Sequence, residues 1–230
     1  MWSLFSENFN QDKIGFWAPY DWQGLLSCRN HASLDAFSGH LPYTTKQFFP
    51  DDRGVFTYTI FREPIERMYS QYLYLRKIRP DLSIKLEEFV SSQYMAVLAD
   101  NVQTRMLGSM IPIDWMSQVD HRDTIDISIG RFLLESIEIE DRNGLLETAI
   151  QRLDELDCFG IKEFLAESGR RLANKTGLSV DVKERSGEHR KHAERLSKKE
   201  VNMMKALNEL DIELYKEAVA KFENSDLQSV

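Results

Sequence analysis

The stretch Val55-Phe56-Thr57-Tyr58-Thr59-Ile60-Phe61 runs straight into Arg62-Glu63-Pro64, and this junction constrains the fold more than any other feature of the chain. Seven consecutive β-branched or aromatic residues suit a strand covered on both faces, as in a mostly parallel sheet. A helix must begin at once. Pro64 fits its first turn, where the missing N–H costs nothing. Glu63 and Glu66 lie where the helix dipole favours negative charge. Ile65, Met68, Tyr72 and Leu75 then share one face, and Arg67, Ser70, Tyr74 and Lys77 another.

Other segments follow the same alternation. The run Ala36-Phe37-Ser38-Gly39-His40 reads as a short buried strand ending at Gly39-His40, and Cys158-Phe159-Gly160-Ile161 as another. Helices are expected near the N-terminus over residues 2–9, over 85–107, from Asn143-Gly144 to about Glu155, from about Glu163 to Lys175 with a stop at Gly177, and from the capping box Ser197-Lys198-Lys199-Glu200 to about Phe222. Strand-like pieces lie at 124–129 and 133–139. Short buried strands alternating with helices imply one α/β domain over residues 1–230, a mostly parallel sheet flanked by helices. In such folds ligands bind beyond the C-terminal ends of the strands, where His40 and Arg62 both fall.

The bulk properties exclude several function classes. A net charge of −8 lacks the basic footprint of a general nucleic-acid binder. No apolar run reaches the length of a membrane span, and the N-terminus lacks the pattern of a signal peptide, so the expectation is a cytoplasmic protein. Cys28 and Cys158 form no ligand spacing, and no metal is expected. Positive charge gathers over residues 183–199, which hold seven Lys or Arg against three Glu. Two readings stand for it: a reserve for an anionic ligand, or a solvated face.

Arg62 and Ser70 bear on chemistry first. An arginine at a strand end and a serine two helical turns on can converge on one anion, the guanidinium offering a donor fork that matches a phosphate. The alternative is an arginine paired with Glu63 or Glu66 and a serine without a role.

The segment Thr59-Ile60-Phe61-Arg62-Glu63-Pro64-Ile65-Glu66-Arg67-Met68-Tyr69-Ser70-Gln71-Tyr72 resembles the 3′-phosphate-binding motif of sulfotransferases that use 3′-phosphoadenosine 5′-phosphosulfate (PAPS), and most resembles their heparan-sulfate 2-O-type carbohydrate group. Four more blocks occur in the family's order. Phe37-Ser38-Gly39-His40-Leu41-Pro42-Tyr43 resembles its Gly-His segment. Asp100-Asn101-Val102-Gln103-Thr104-Arg105-Met106-Leu107 resembles its Asn-x-Gln-Thr-Arg block. Phe159-Gly160-Ile161-Lys162-Glu163-Phe164 resembles its Gly-x-x-Glu block, and Asp211-Ile212-Glu213-Leu214-Tyr215 its Asp-x-x-Leu-Tyr.

The resemblance implies a P-loop-NTPase-like fold and transfer of a sulfuryl group from PAPS, as co-substrate, to a hydroxyl of a carbohydrate or glycan acceptor. It implies that Arg62 and Ser70 hold the 3′-phosphate and that His40 is the general base. Lys183 and Arg185 match a late loop near the nucleotide. Arg105 either contacts substrate or cofactor, or holds its helix to the sheet. The family's 5′-phosphosulfate loop, of His-x-Pro-Lys-Thr-Gly type, has no counterpart in the sequence. Lys13, in Asn10-Gln11-Asp12-Lys13-Ile14-Gly15, has neither the pattern nor a preceding strand. The expectation is therefore a fold whose first strand and phosphate loop are missing, with an exposed sheet edge through which copies could associate. The alternative is a truncated, non-catalytic protein that only binds the nucleotide.

Overall fold

The computed structural model describes residues 7–17, 33–39, 42–48, 54–92, 95, 98–109, 141–180 and 196–227. Among the described residues there are four short strands: β1 (Ile14–Trp17), β2 (Ala36–Gly39), β3 (Tyr58–Phe61) and β4 (Cys158–Ile161). They form two parallel pairs. Ile14 aligns with Ala36 in one, and Tyr58 with Cys158 in the other. The helices bounded by described residues are α1 (Pro64–Ile78), α2 (Leu86–Ser91), α3 (Val102–Gly108), α4 (Arg142–Glu155), α5 (Leu165–Thr176), α6 (Lys198–Leu207) and α7 (Glu209–Leu227). The described architecture is thus α/β, rich in helix, with small parallel sheets.

The β3–β4 pair is covered on both faces. Phe61, Phe159 and Ile161 lie in or against the core that Leu214, Ala218 and Phe222 of α7 supply, together with Leu107 of α3 and Leu153 of α4. Gly160 points the other way, as strand alternation requires. There α5 comes so close that a Cβ on Gly160 would lie 2.7 Å from both the Ser168 Cβ and the Tyr58 hydroxyl. Ser168 Oγ accepts from Ile161 N (2.9 Å) and reaches Ile161 O (3.0 Å). A second core joins α1 to α2 and α6 through Ile65, Met68, Tyr72, Phe89 and Met204. Burial of each such large side chain is worth about 2–3 kcal/mol. The apolar face expected for α1 is the buried one, with Leu75 packed at its margin.

Caps fall where the sequence places them in several cases. Glu63 accepts from Glu66 N at the start of α1, with Pro64 in its first turn. Ser197 and Glu200 form the reciprocal capping box of α6. Gly177 ends α5 with φ 73°. Of the expected N-terminal helix over residues 2–9, residues 7 and 8 are helical and residue 9 is a bend, while residues 2–6 lie outside the described residues, as do the strand-like pieces at 124–129 and 133–139.

Three expectations are corrected. The single helix over 85–107 is broken: α2 ends at Ser91 and α3 starts after Asn101, which adopts a left-handed φ of 41°. Asparagine tolerates that conformation because its short amide bonds locally. The final helix is broken at Asn208, whose amide donates to Met204 O (2.9 Å) and Met68 Sδ (3.2 Å) while α7 begins anew. Ile14-Gly15-Phe16-Trp17, not anticipated as a strand, is β1; its four residues and interior glycine give too weak a pattern alone. Among the described residues no helix is long and apolar enough to cross a membrane.

The two breaks serve one interaction. Asp211, on the first turn of α7, is fully buried. Its Oδ1 accepts from Thr104 N (2.7 Å) and Thr104 Oγ1 (2.8 Å), and its Oδ2 from Gln103 N (3.1 Å). Asn101 precedes α3 without capping it, so the free N–H groups of α3 are satisfied by a carboxylate from another helix. Asn101 returns the bond, accepting from Asp211 N at 3.0 Å. Asp211→Asn places an amide donor against the Gln103 or Thr104 N–H, and should lose about 2–4 kcal/mol in urea denaturation. Thr104→Val, losing one hydroxyl bond, should lose only about 1 kcal/mol. Equal losses would contradict the capping role. Gly160→Ala should cost about 1–3 kcal/mol through overpacking against α5; a neutral result would mean that α5 moves freely.

Candidate functional site

The C-terminal ends of β3 and β4 lie side by side, since Phe61 aligns with Ile161. Each strand leaves the pair through a basic and an acidic residue, Arg62-Glu63 and Lys162-Glu163. Both chains then turn into helix, β3 into α1 and β4 into a short 3₁₀ turn over Lys162–Phe164 followed by α5. This is the strand-end position at which α/β folds bind ligands.

Arg62 is clamped by its backbone. Gln103 of α3 accepts from Arg62 N (2.9 Å) and donates to Arg62 O (3.0 Å). One side-chain amide thereby does for Arg62 what the next strand of a ladder would do, and it fixes where the arginine leaves the sheet. The guanidinium is 28% exposed and lies 3.7 Å from Glu66, one turn into α1. Ser70 follows one turn further on; it is half-buried, and its hydroxyl makes no hydrogen bond to a described residue. Arg62, Glu66 and Ser70 therefore share one edge of α1 at four-residue spacing.

Beside them sits a carboxylate bridge. Glu163 Oε1 accepts from Glu63 N (3.1 Å), and its Oε2 accepts from the Tyr215 hydroxyl (2.9 Å). Glu163 thus joins the start of α1 to α7. Burial, helped by the neighbouring Glu163 and Glu63 carboxylates, pushes the Tyr215 phenol well above its ordinary range. Burial does the same to Tyr58 on β3. Of the alternative read from the sequence, an arginine paired with Glu63 or Glu66, the Glu66 pairing is the one found, while Glu63 caps α1.

Arg105, a residue of α3, is only 3% exposed, and its Nε donates to Asp100 O at 2.6 Å. Its side chain thus reaches back to the turn that precedes α3. Arg67, expected on the polar face of α1, turns inward to the carbonyls of Leu98 and Ala99. Of the basic residues in the stretch 183–199, Lys198 and Lys199 are described, and Lys199 pairs with Glu87 at 2.7 Å. His40, Lys183 and Arg185 lie outside the described residues. Cys158 is a buried free thiol whose pKa burial raises.

Four of the blocks quoted from the sequence therefore meet at one place: Arg62, Gln103, Glu163 and Tyr215 each come from a different one. Sequence reasoning assigned no role to Gln103, Glu163 or Asp211. The only signal was their presence in blocks spaced far apart along the chain.

No family model matches the chain, and no solved structure matches it. A stretch of it is 30% identical over 118 residues to Nuclear anchorage protein 1 of Caenorhabditis elegans; this takes in 46% of the present chain and 1% of that protein. The chain spans a very small part of that relative's length, so the likeness is local and assigns no role to the strand-end site.

The two raised phenols predict an alkaline limit to stability. Their folded pKa values lie above the unfolded value of about 10, so both groups stabilise the fold below that pH. The contribution falls away as pH rises past it, because unfolding then releases protons. Urea titrations from pH 9 to about 11 should show a steady decline, made shallower by Tyr58→Phe and by Tyr215→Phe. A decline of unchanged slope in both variants would remove these tyrosines as its cause.

Proposed function

We propose that this chain is a PAPS-dependent sulfotransferase acting on a hydroxyl of a carbohydrate acceptor, built on a P-loop-NTPase-like sheet. The observation that carries the reading is the meeting of separate sequence blocks at the end of β3, where Gln103 clamps the Arg62 backbone and Glu163 accepts from Glu63 N. A residue needed only for packing has no reason to be held by a side-chain amide clamp at a strand end while its guanidinium stays partly open.

In this reading Arg62 and Ser70 bind the 3′-phosphate of the nucleotide. The guanidinium supplies paired N–H donors and Ser70 a hydroxyl whose hydrogen-bonding capacity is unspent. Glu66 holds Arg62 only loosely at 3.7 Å, and a partly exposed pair of that kind contributes well under about 1 kcal/mol. A dianionic phosphate is a stronger partner and displaces it. Lys183 and Arg185 belong to a loop near the nucleotide. Arg105 acts through position, keeping α3 and hence Gln103 in place.

His40 follows directly on Gly39, the last residue of β2, and is the general base. The acceptor hydroxyl attacks the sulfur of PAPS and gives its proton to the imidazole. A new O–S bond forms as the bond from sulfur to the bridging oxygen breaks, and adenosine 3′,5′-bisphosphate leaves with that oxygen. An imidazole near its ordinary pKa suits this proton transfer at neutral pH. The rest of the catalysis is positioning and charge stabilisation, as in phosphoryl transfer.

Calorimetry with adenosine 3′,5′-bisphosphate tests the site. Arg62→Ala should weaken binding roughly thirtyfold, the loss of a charge-assisted contact worth about 2 kcal/mol, and Ser70→Ala should weaken it less. Unchanged affinity in Arg62→Ala would sink the assignment. His40→Ala should keep bisphosphate affinity and abolish transfer of labelled sulfate to sugar acceptors; retained transfer would dismiss it as the base.

A further inference from the structure

The turn that leaves β4 carries a cation to which nothing so far gives a role. Lys162 opens the 3₁₀ turn Lys162–Phe164 and is half-buried. Two other lysines among the described residues are half-buried, Lys46 and Lys221. Each lies near a carboxylate, Lys46 at 4.0 Å from Glu155 and Lys221 at 2.7 Å from Asp154. Lys162 makes no hydrogen bond or ion pair to a described residue. A lysine drawn partly out of water ordinarily takes a partner. The acidic residues beside it are committed elsewhere. Glu163 accepts from Glu63 N and from the Tyr215 hydroxyl, and Glu63 caps α1.

The strand register says where Lys162 lies. β3 and β4 are parallel and Phe61 aligns with Ile161, so residues 62 and 162 follow as neighbours at the strand spacing of about 5 Å. Ile161 is still extended (φ −115°, ψ 126°), so side chains keep alternating at this point. Phe61 and Ile161 face the core that α7 supplies. Glu163 turns to the same side, to Tyr215 of α7. Arg62 and Lys162 therefore leave the sheet on the opposite side, one beside the other.

Two neighbouring cations suit an anion of two charges. A terminal phosphate monoester carries close to −2 above its second pKa of about 6. Arg62 supplies one positive charge, and the Glu66 carboxylate 3.7 Å away offsets part of it. The guanidinium fork takes two phosphate oxygens in its plane. An ammonium is a compact charge on a flexible stem, and it can reach a third oxygen from the side.

We propose that Lys162 is a second cation of the strand-end site, binding the terminal phosphate monoester beside Arg62 and selecting for its dianion. The inference deepens the function proposed above and rests on its nucleotide half.

Calorimetry on the full chain tests it, with adenosine 3′,5′-bisphosphate, adenosine 3′-monophosphate and adenosine 5′-monophosphate as probes. Lys162→Gln should weaken both ligands that carry a 3′-phosphate roughly tenfold, the loss of one charge-assisted contact. The 5′-monophosphate should show no difference between the two proteins. Lys162→Arg should stay within about threefold of the unsubstituted chain. Lys162→Met, which keeps the stem and loses the charge, should repeat the loss and covers a Gln variant that fails to fold. The thermal midpoint should not change, because the ammonium has no described partner to lose. Unchanged bisphosphate affinity in Lys162→Gln and Lys162→Met would make Lys162 a surface lysine with its head in water, and an equal loss for all three ligands would deny it the 3′-phosphate. Arg62→Ala in the same titrations keeps the two proposals apart. A loss there with none in Lys162→Gln removes Lys162 alone, and the reverse removes the Arg62 assignment and leaves Lys162 standing. No bisphosphate binding by the unsubstituted chain removes the nucleotide reading and this inference with it.

Discussion

The buried carboxylate of Asp211 is the constraint around which the rest is arranged. A charge with no exposure to water is tolerated only when enough donors surround it. Here two backbone N–H groups and a hydroxyl of α3 do so. The bonds also solve a problem of α3, whose first N–H groups have no cap from the preceding chain. Neither helix end is complete without the other. Because α7 also fills the core under β3 and β4, its placement fixes α3, and α3 carries Gln103.

From there the consequence reaches the site directly. Gln103 presents its amide to Arg62 because its own N–H is held by Asp211. Tyr215, one turn along α7 from Asp211, reaches Glu163 and through it the start of α1. The strand-end arginine is therefore positioned by residues that touch no ligand in the proposed reading. A loss of Asp211 would register at Arg62 as misplacement, even though the two side chains perform unrelated tasks.

The parts of this arrangement legible in sequence were those with a local cause. β4, the start of α1 at Pro64, the Ser197 capping box and the Gly177 stop each depend on a few adjacent residues. The errors came from non-local causes. Asn101 and Asn208 lie within patterns that read as continuous helix. They break it because Asn101 pairs with Asp211 across 110 residues, and Asn208 reaches Met68 across 140. β1 was missed because four residues give little periodicity, and their strand identity comes from pairing with β2. Of the site, Arg62 and Ser70 were legible as a spacing. The clamp by Gln103 was not, since no rule of local propensity links residues 62 and 103.

The electrostatics of the strand ends bear on how an anion could be held there. Glu63, Glu66 and Glu163 outnumber Arg62 and Lys162, which at first argues against a phosphate. Their roles differ, however. Glu63 is turned to the Glu66 N–H as a helix cap, and Glu163 is occupied by Glu63 N and Tyr215. Their charge is directed at backbone and phenol donors. Glu66 alone faces the guanidinium, at a distance beyond a direct hydrogen bond. It lies 3.7 Å from a guanidinium that stays partly exposed. An acidic residue so placed keeps an arginine ordered while the site is empty and releases it at little cost. In the proposed reading the carboxylates therefore shape the site more than they oppose its ligand, and the affinity for an anion rests on Arg62 and Ser70.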